Sequence, residues 1–125
     1  EQMKKLEWRV ERKKEIFLRY KENLRNIGQI KFFKQDLDYT APWFIDCIVD
    51  DRQSLIDYLN EHKIGTRVMY PPINSQKAYN LSGDYPVSRL IGNNGLWLPS
   101  SSKLSNSQIN YICEKIYLFY GERFI

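Results

Sequence analysis

The chain has 125 residues, 42% hydrophobic and 14% aromatic, with a formal charge of +4. This composition describes one folded domain with a modest core and excludes a disordered chain. No apolar run approaches the roughly 18–20 residues that cross a bilayer, and the charged first residues are not followed by the apolar stretch of a secretory signal; a membrane role is excluded and a cytoplasmic protein is expected. From Gln2 to about Ile27 the apolar positions Met3, Leu6, Val10, Phe17, Tyr20, Leu24 and Ile27 recur at helical spacing. They predict one long amphipathic helix, ended by Gly28. Such a helix outruns a small domain, so part of its apolar stripe is expected to pack on something outside this chain.

Residues 29–40 read as a loop or an irregular edge strand. Pro42 opens a strand with Trp43, Ile45, Cys47 and Val49 on one face and Phe44, Asp46 and Ile48 on the other. Asp50 or Asp51 caps the next helix. Its inner stripe is Leu55, Ile56 and Leu59, and Ile64-Gly65 closes it. Thr66–Tyr70 is a second strand, and Ser82-Gly83-Asp84 is a turn. Pro86 starts a short helix through Leu90 and Ile91, which Gly92-Asn93-Asn94-Gly95 breaks. Leu96–Pro99 is a short strand. Ser105-Asn106-Ser107-Gln108 is a capping box that launches a last helix with Ile109, Ile112, Cys113, Ile116, Phe119 and Tyr120 on its inner face. The order, a long helix followed by β-α-β-α-β-α, predicts an α/β fold: a small two-layer sandwich with a mainly antiparallel sheet.

The charge is concentrated at the start. Residues 1–34 hold eleven basic and five acidic side chains, a net +6, and the remainder holds eight and ten, a net −2. Lys4, Lys5, Arg9, Arg12, Lys13, Lys14, Arg19, Lys21 and Arg25 could contact phosphates, but Glu7, Glu11, Glu15 and Glu22 interrupt the stripe at pairing distances. A solvated helix face accounts for this pattern, and no base-reading motif or aromatic RNA-binding strand accompanies it. Nucleic acid is therefore not expected as a partner. Cys47 and Cys113 fall on apolar faces and read as buried free thiols. With His62 the only histidine, no zinc set or Cys–His nucleophile pair is expected.

The run Ile64 to Tyr79 is the most informative segment. A glycine is followed by a short strand carrying Arg67, then Tyr70, then Pro71-Pro72, which forbid continuation of either helix or strand. The polar stretch Asn74 to Tyr79 is thus held at the end of a rigid turn. It reads either as a plain proline turn or as a ligand loop on a stiff scaffold.

The ordered set Gly65-Thr66-Arg67, Tyr70-Pro71-Pro72-Ile73-Asn74, Gln76 and Tyr79 resembles the small C-terminal domain of the DegT/DnrJ/EryC1/StrS sugar aminotransferases, pyridoxal-phosphate (PLP) enzymes of fold type I. Gln2 to Leu6 with Arg12-Lys13 and Tyr20 resembles that family's interdomain helix. Tyr39 to Phe44, Asp50-Asp51-Arg52, Tyr85-Pro86-Val87, Gly95 to Ser101 and the Gln108–Tyr120 helix resemble its other small-domain elements. Within the family the pattern is most similar to the perosamine synthases. The resemblance implies an interdomain helix over residues 1–28 and a small α/β domain over residues 29–125. The large PLP-binding domain, with its Schiff-base lysine, would lie upstream of Glu1, which also accounts for the missing initiator methionine. By the same likeness the parent would be a homodimer that takes a nucleotide-linked 4-keto-6-deoxy sugar and glutamate, with no metal, and this chain alone would not catalyse.

For the site, the resemblance implies that the loop Tyr70–Tyr79 shapes the sugar pocket. Asn74 stands where several relatives carry a sugar-facing histidine; it can donate and accept hydrogen bonds but cannot change charge near neutral pH. Tyr70 and Tyr79 either pack on sugar or cofactor or are ordinary partly buried tyrosines. Arg67 either pairs with a carboxylate or phosphate of the substrate or makes a structural salt bridge, and Gln76 contacts substrate or caps the loop. A stand-alone interaction or regulatory remnant is the other reading of the whole chain.

Overall fold

A computed structural model describes residues 1–79 and 82–122. A 3-10 turn at Gln2–Lys5 leads into helix α1, Leu6–Asn23. Helix α1 ends four residues short of the expected Ile27, before Gly28 is reached. The apolar spacing persists because Leu24 and Ile27 remain buried while the chain leaves the helix through looser turns, Ile27 N–H donating to Leu24 O at 3.1 Å. The end of α1 is tied to the last helix instead, Asn23 Nδ2 donating to Asn110 Oδ1 at 3.0 Å.

Four strands follow in the chain: β1 Ile30–Phe32, β2 Ile45–Val49, β3 Arg67–Val68 and β4 Gly95–Leu98. They form one antiparallel sheet in the order β1-β2-β4-β3. Strand β2 begins at Ile45, so Trp43 is not part of its inner face and lies 78% exposed. Strand β3 is shorter than expected, although Met69 N–H still donates to Gly95 O at 3.1 Å.

The inner face of the sheet carries Ile45, Cys47, Val49, Leu96 and Leu98, all buried. Against it lie Ile16, Phe17 and Tyr20 of α1, Leu55 and Leu59 of helix α2 (Arg52–Glu61), and Ile109, Ile112, Cys113 and Ile116 of helix α4 (Asn106–Glu122). Two buried tyrosines keep their hydroxyls satisfied, as burial of a phenol requires: Tyr20 donates to Pro99 O and Tyr120 to Asp50 O, each at 2.8 Å. The capping box of α4 is reciprocal, Gln108 N–H donating to Ser105 Oγ at 3.1 Å and Ser105 N–H to Gln108 Oε1 at 2.9 Å.

The ends of the middle helices differ from expectation. Asp51 takes the N-cap of α2 in the left-handed region, φ 51°, without a side-chain capping bond. At the other end Lys63, φ 61°, and not Gly65, takes the left-handed position. Ile64 N–H donates to Leu59 O at 2.9 Å and Lys63 N–H to Asn60 O at 3.0 Å, the bond pair of a Schellman end. Helix α3, Pro86–Asn94, starts at the proline as expected but continues through Gly92-Asn93-Asn94, and only Gly95 stops it. Asn94 supports that last turn by donating from Nδ2 to Leu90 O at 3.2 Å.

Candidate functional site

The outer face of the sheet is not sealed by α1, α2 or α4. In register, Asp46 of β2 faces Trp97 of β4, and Trp97 faces Arg67 of β3. Directly paired residues on antiparallel strands project from the same face, so these three form one row across the sheet. Phe44 stacks on Trp97 at 4.4 Å between centroids, Tyr70 meets Trp97 edge-on at 5.2 Å, and Trp43 meets Phe44 edge-on at 6.3 Å. Burial raises the Asp46 carboxyl above the ordinary carboxylate range, opposed in part by the hydrogen bond from the Trp97 indole. Arg67 is exposed and forms no ion pair among the described residues.

The proline loop leaves the edge of this row. Pro71-Pro72 are followed by a 3-10 turn, Ile73–Ser75, in which both the backbone N–H and the Oγ of Ser75 donate to Pro72 O, at 3.0 and 2.7 Å. Pro72 rests on Gly92 of α3, where a Cβ would come within 2.6 Å of the proline Cδ. Between the loop and α3 lies an open groove of about 430 Å³, with Tyr70, Pro72 and Asn74 on one wall and Tyr85, Ser88 and Ile91 on the other. Arg89 and Asp84, paired at 2.7 Å, brace the start of α3.

The structure therefore brings together Tyr70 and Asn74 in the groove and sets Arg67 beside them on the sheet. Gln76 and Tyr79 do not join them: both are exposed at the far end of the loop and neither lines the groove. The half-buried Trp97, its partner Phe44, Tyr85 at the start of α3 and Ser88 on it complete the surroundings. These four were not marked in the sequence as site residues. The alternation of β4 could have placed Trp97 on the outer face, but no local signal brings α3 across the proline loop.

Other candidate groups are structural. His62 Nδ1 lies 2.8 Å from Tyr58 O. Cys47 and Cys113 are buried and unbridged, and burial pushes the Cys47 thiol up strongly and the Cys113 thiol to about 11. Neither is a thiolate near neutral pH. Among the described residues no group of three or more His, Cys, Asp or Glu is placed to hold a metal, and no helix is long and apolar enough to cross a membrane. Two cations of the basic N-terminal helix are anchored to loops: Arg12 Nη2 donates to Leu104 O at 2.6 Å, and Lys13 Nζ donates to Ser100 O and Trp43 O. Burial lowers the Lys13 ammonium.

No lysine lines the groove, and none belongs to the Asp46–Trp97–Arg67 row. The half-buried lysine next to this region, Lys13, is committed to backbone carbonyls. The groove and the row do not fit a covalent PLP attachment site. They offer hydrogen bonds, aromatic faces and, at Arg67, a guanidinium with no ion pair among the described residues.

The model of the DegT/DnrJ/EryC1/StrS aminotransferase family matches residues 1–117. The chain belongs to that family. GDP-perosamine synthase from Escherichia coli O157:H7 is 30% identical over 118 residues, covering 91% of this chain and 32% of that protein. A DegT DnrJ EryC1 StrS aminotransferase from Brucella abortus superposes with a TM-score of 0.85 at 26% identity, over 95% of this chain and 33% of its own. The PLP form of Spr1654 from Streptococcus pneumoniae superposes at 0.84 with 24% identity, over 99% of this chain and 34% of its own, a likeness of fold. The chain thus spans about a third of the length of these proteins, and its fold matches the C-terminal portion of the sugar aminotransferase structures.

Proposed function

We propose that this chain is the pocket-shaping C-terminal part of a PLP-dependent aminotransferase that moves an amino group from glutamate to a nucleotide-linked 4-keto-6-deoxy sugar. The observation that carries this reading is the similarity to GDP-perosamine synthase across 91% of the chain, together with a groove beside the proline loop that Asn74, Tyr70 and Ser88 line. PLP, held by the rest of the protein, supplies the lysine-linked carbonyl chemistry and the electron sink.

The contribution of these residues is binding and orientation. Asn74, half-buried on the groove wall, hydrogen-bonds a sugar hydroxyl. Tyr70, held edge-on by Trp97, gives the sugar an apolar wall. Arg67, exposed opposite Trp97 and without an ion pair among the described residues, pairs with a phosphate or carboxylate of the substrate. Gln76 and Tyr79 are left for the part of the substrate outside the groove. Residues 1–28, with α1 over Leu6–Asn23, serve as the interdomain segment and residues 29–125 as the small domain. Met3, Leu6 and Trp8, exposed by 77, 47 and 56%, meet the large domain and the second subunit of a homodimer, since apolar surface of this kind marks contacts.

The test is a coupled assay of the parent protein with glutamate and GDP-4-keto-6-deoxymannose, beside other keto-sugar nucleotides. Formation of a 4-amino sugar nucleotide is expected, with no turnover by this chain alone. A parent that aminates no keto-sugar nucleotide, or a chain that transaminates by itself, refutes the assignment.

A further inference from the structure

Arg52 opens α2, far from the proline loop in sequence, yet its guanidinium ends beside the loop's support. Arg52 Nη1 donates to Gly92 O at 2.7 Å and to Gly95 O at 3.0 Å. Both acceptors lie where α3 gives way to β4, and carbonyls in the last turn of a helix have no partner within it. A guanidinium supplies that partner and also suits the negative end of the helix dipole. The same two glycines carry the loop. Gly92 has Pro72 pressed on it, and at Gly95 a Cβ would come within 2.5 Å of Met69 Sδ. Gly95 O also accepts from Met69 N–H. Met69 and Pro72 bracket Tyr70 and Pro71, and Asn74 follows two residues later.

We propose that Arg52 is a positioning residue for the substrate loop: by fixing the carbonyls of Gly92 and Gly95 it sets the surfaces on which Met69 and Pro72 rest, and through them the places of Tyr70 and Asn74. The inference rests on the groove being the sugar site. Pro72 has no torsional freedom about φ and touches Gly92 with no side chain between. A displacement of the α3–β4 junction therefore passes into the loop with little damping, and a small misplacement of a binding group is costly. Among the groove-lining residues Arg52 bonds the Gly92 backbone and no side chain, so its effect reaches Tyr70 and Asn74 through that junction.

The experiment uses the full-length parent with Arg52→Gln, Arg52→Lys and Gly92→Ala, and GDP-4-keto-6-deoxymannose plus glutamate as the probe. A glutamine cannot span both carbonyls. It should raise the KM for the sugar nucleotide roughly three- to tenfold and leave kcat within about twofold, the pattern of lost ground-state positioning. Arg52→Lys, which keeps a multidentate cation, should return KM close to the parental value. Gly92→Ala, which pushes Pro72 directly, should reproduce the KM rise with Arg52 intact. Amide exchange gives a readout that needs no substrate. The N–H groups of Ser75, Gln76 and Tyr79, bonded within the loop, should exchange roughly tenfold faster in Arg52→Gln, while Ile112 and Ile116 of α4 keep their protection. Parental KM together with parental loop exchange in Arg52→Gln and Gly92→Ala overturns the proposal, and so does a loss of protection spread equally into α4. If Arg52→Gln does not fold, Gly92→Ala and Arg52→Lys decide by the same readouts. A parent that aminates no keto sugar defeats the functional reading alone, and the exchange data still decide whether Arg52 holds the loop.

Discussion

Asn74 is a neutral amide on a loop whose direction is set by two prolines and a Ser75–Pro72 clasp. Its bond to a sugar hydroxyl would be the same in ground and transition states, which is uniform binding. Asn74→Ala in the parent should therefore raise KM for the sugar nucleotide by about 0.5–1.5 kcal/mol in binding terms, with kcat little changed; steady-state kinetics check the split. Lys63 makes a separate prediction. It holds a left-handed backbone, φ 61°, at the end of α2, where a side chain costs energy that glycine avoids. Lys63→Gly should raise stability by up to about 1 kcal/mol in urea unfolding, since it keeps both Schellman bonds. Asp46 gives a pH signature. Its carboxyl is raised by burial, so the folded state holds that proton more tightly than the unfolded chain. The native state is then favoured below the ordinary carboxylate pKa, and that advantage disappears as pH rises through the raised folded value. Asp46→Asn should be more stable than the parent at neutral pH, and the difference should shrink on acidification through the carboxylate range, read by thermal melts in a pH series.

At the scale of elements, α4 is fixed at its start by the reciprocal Ser105–Gln108 box and along its length by buried Ile109, Ile112 and Ile116. Ser105→Ala removes the acceptor for Gln108 N–H and should cost about 1 kcal/mol in chemical denaturation. The box was plain in the sequence because both halves lie within four residues. The end of α2 was not. Ile64-Gly65 looks like the stop, but Ile64 is drawn into the core, and that requirement moves the left-handed residue to Lys63. The same competition governs α1 and α3. Leu24 and Ile27 keep helical spacing while leaving the helix, because their burial is decided by the sheet. The Gly-Asn-Asn-Gly run stays helical until Gly95 because Pro72 packs on Gly92 and Arg52 holds the carbonyls. Both are contacts from distant parts of the chain.

For the whole molecule, the buried thiols of Cys47 and Cys113, both pushed up by burial, should resist thiol reagents in the native state and react on unfolding, counted by mass spectrometry. The exposed apolar start of α1 predicts that the parent is a dimer in light scattering at micromolar concentration; an active, strictly monomeric parent would count against the proposed assembly. The sequence by itself determined the α/β class, the order of helices and strands beyond β1, the inner face of α4 and of β2 from Ile45 onward, and the family likeness, because these rest on local periodicity, caps and ordered motifs. It also marked Arg67 on a short strand and Tyr70 and Asn74 on the stiff loop that follows it. Only the tertiary structure decided that Tyr70 and Asn74 share a groove with α3 while Gln76 and Tyr79 stand outside it. It likewise decided that Trp97 and Phe44 back the loop and that Arg52 reaches the junction beneath it. Those neighbours come from segments far apart in the chain, and their meeting is set by sheet order and by the glycines that let Pro72 and Met69 approach, neither of which leaves a periodic trace in the sequence.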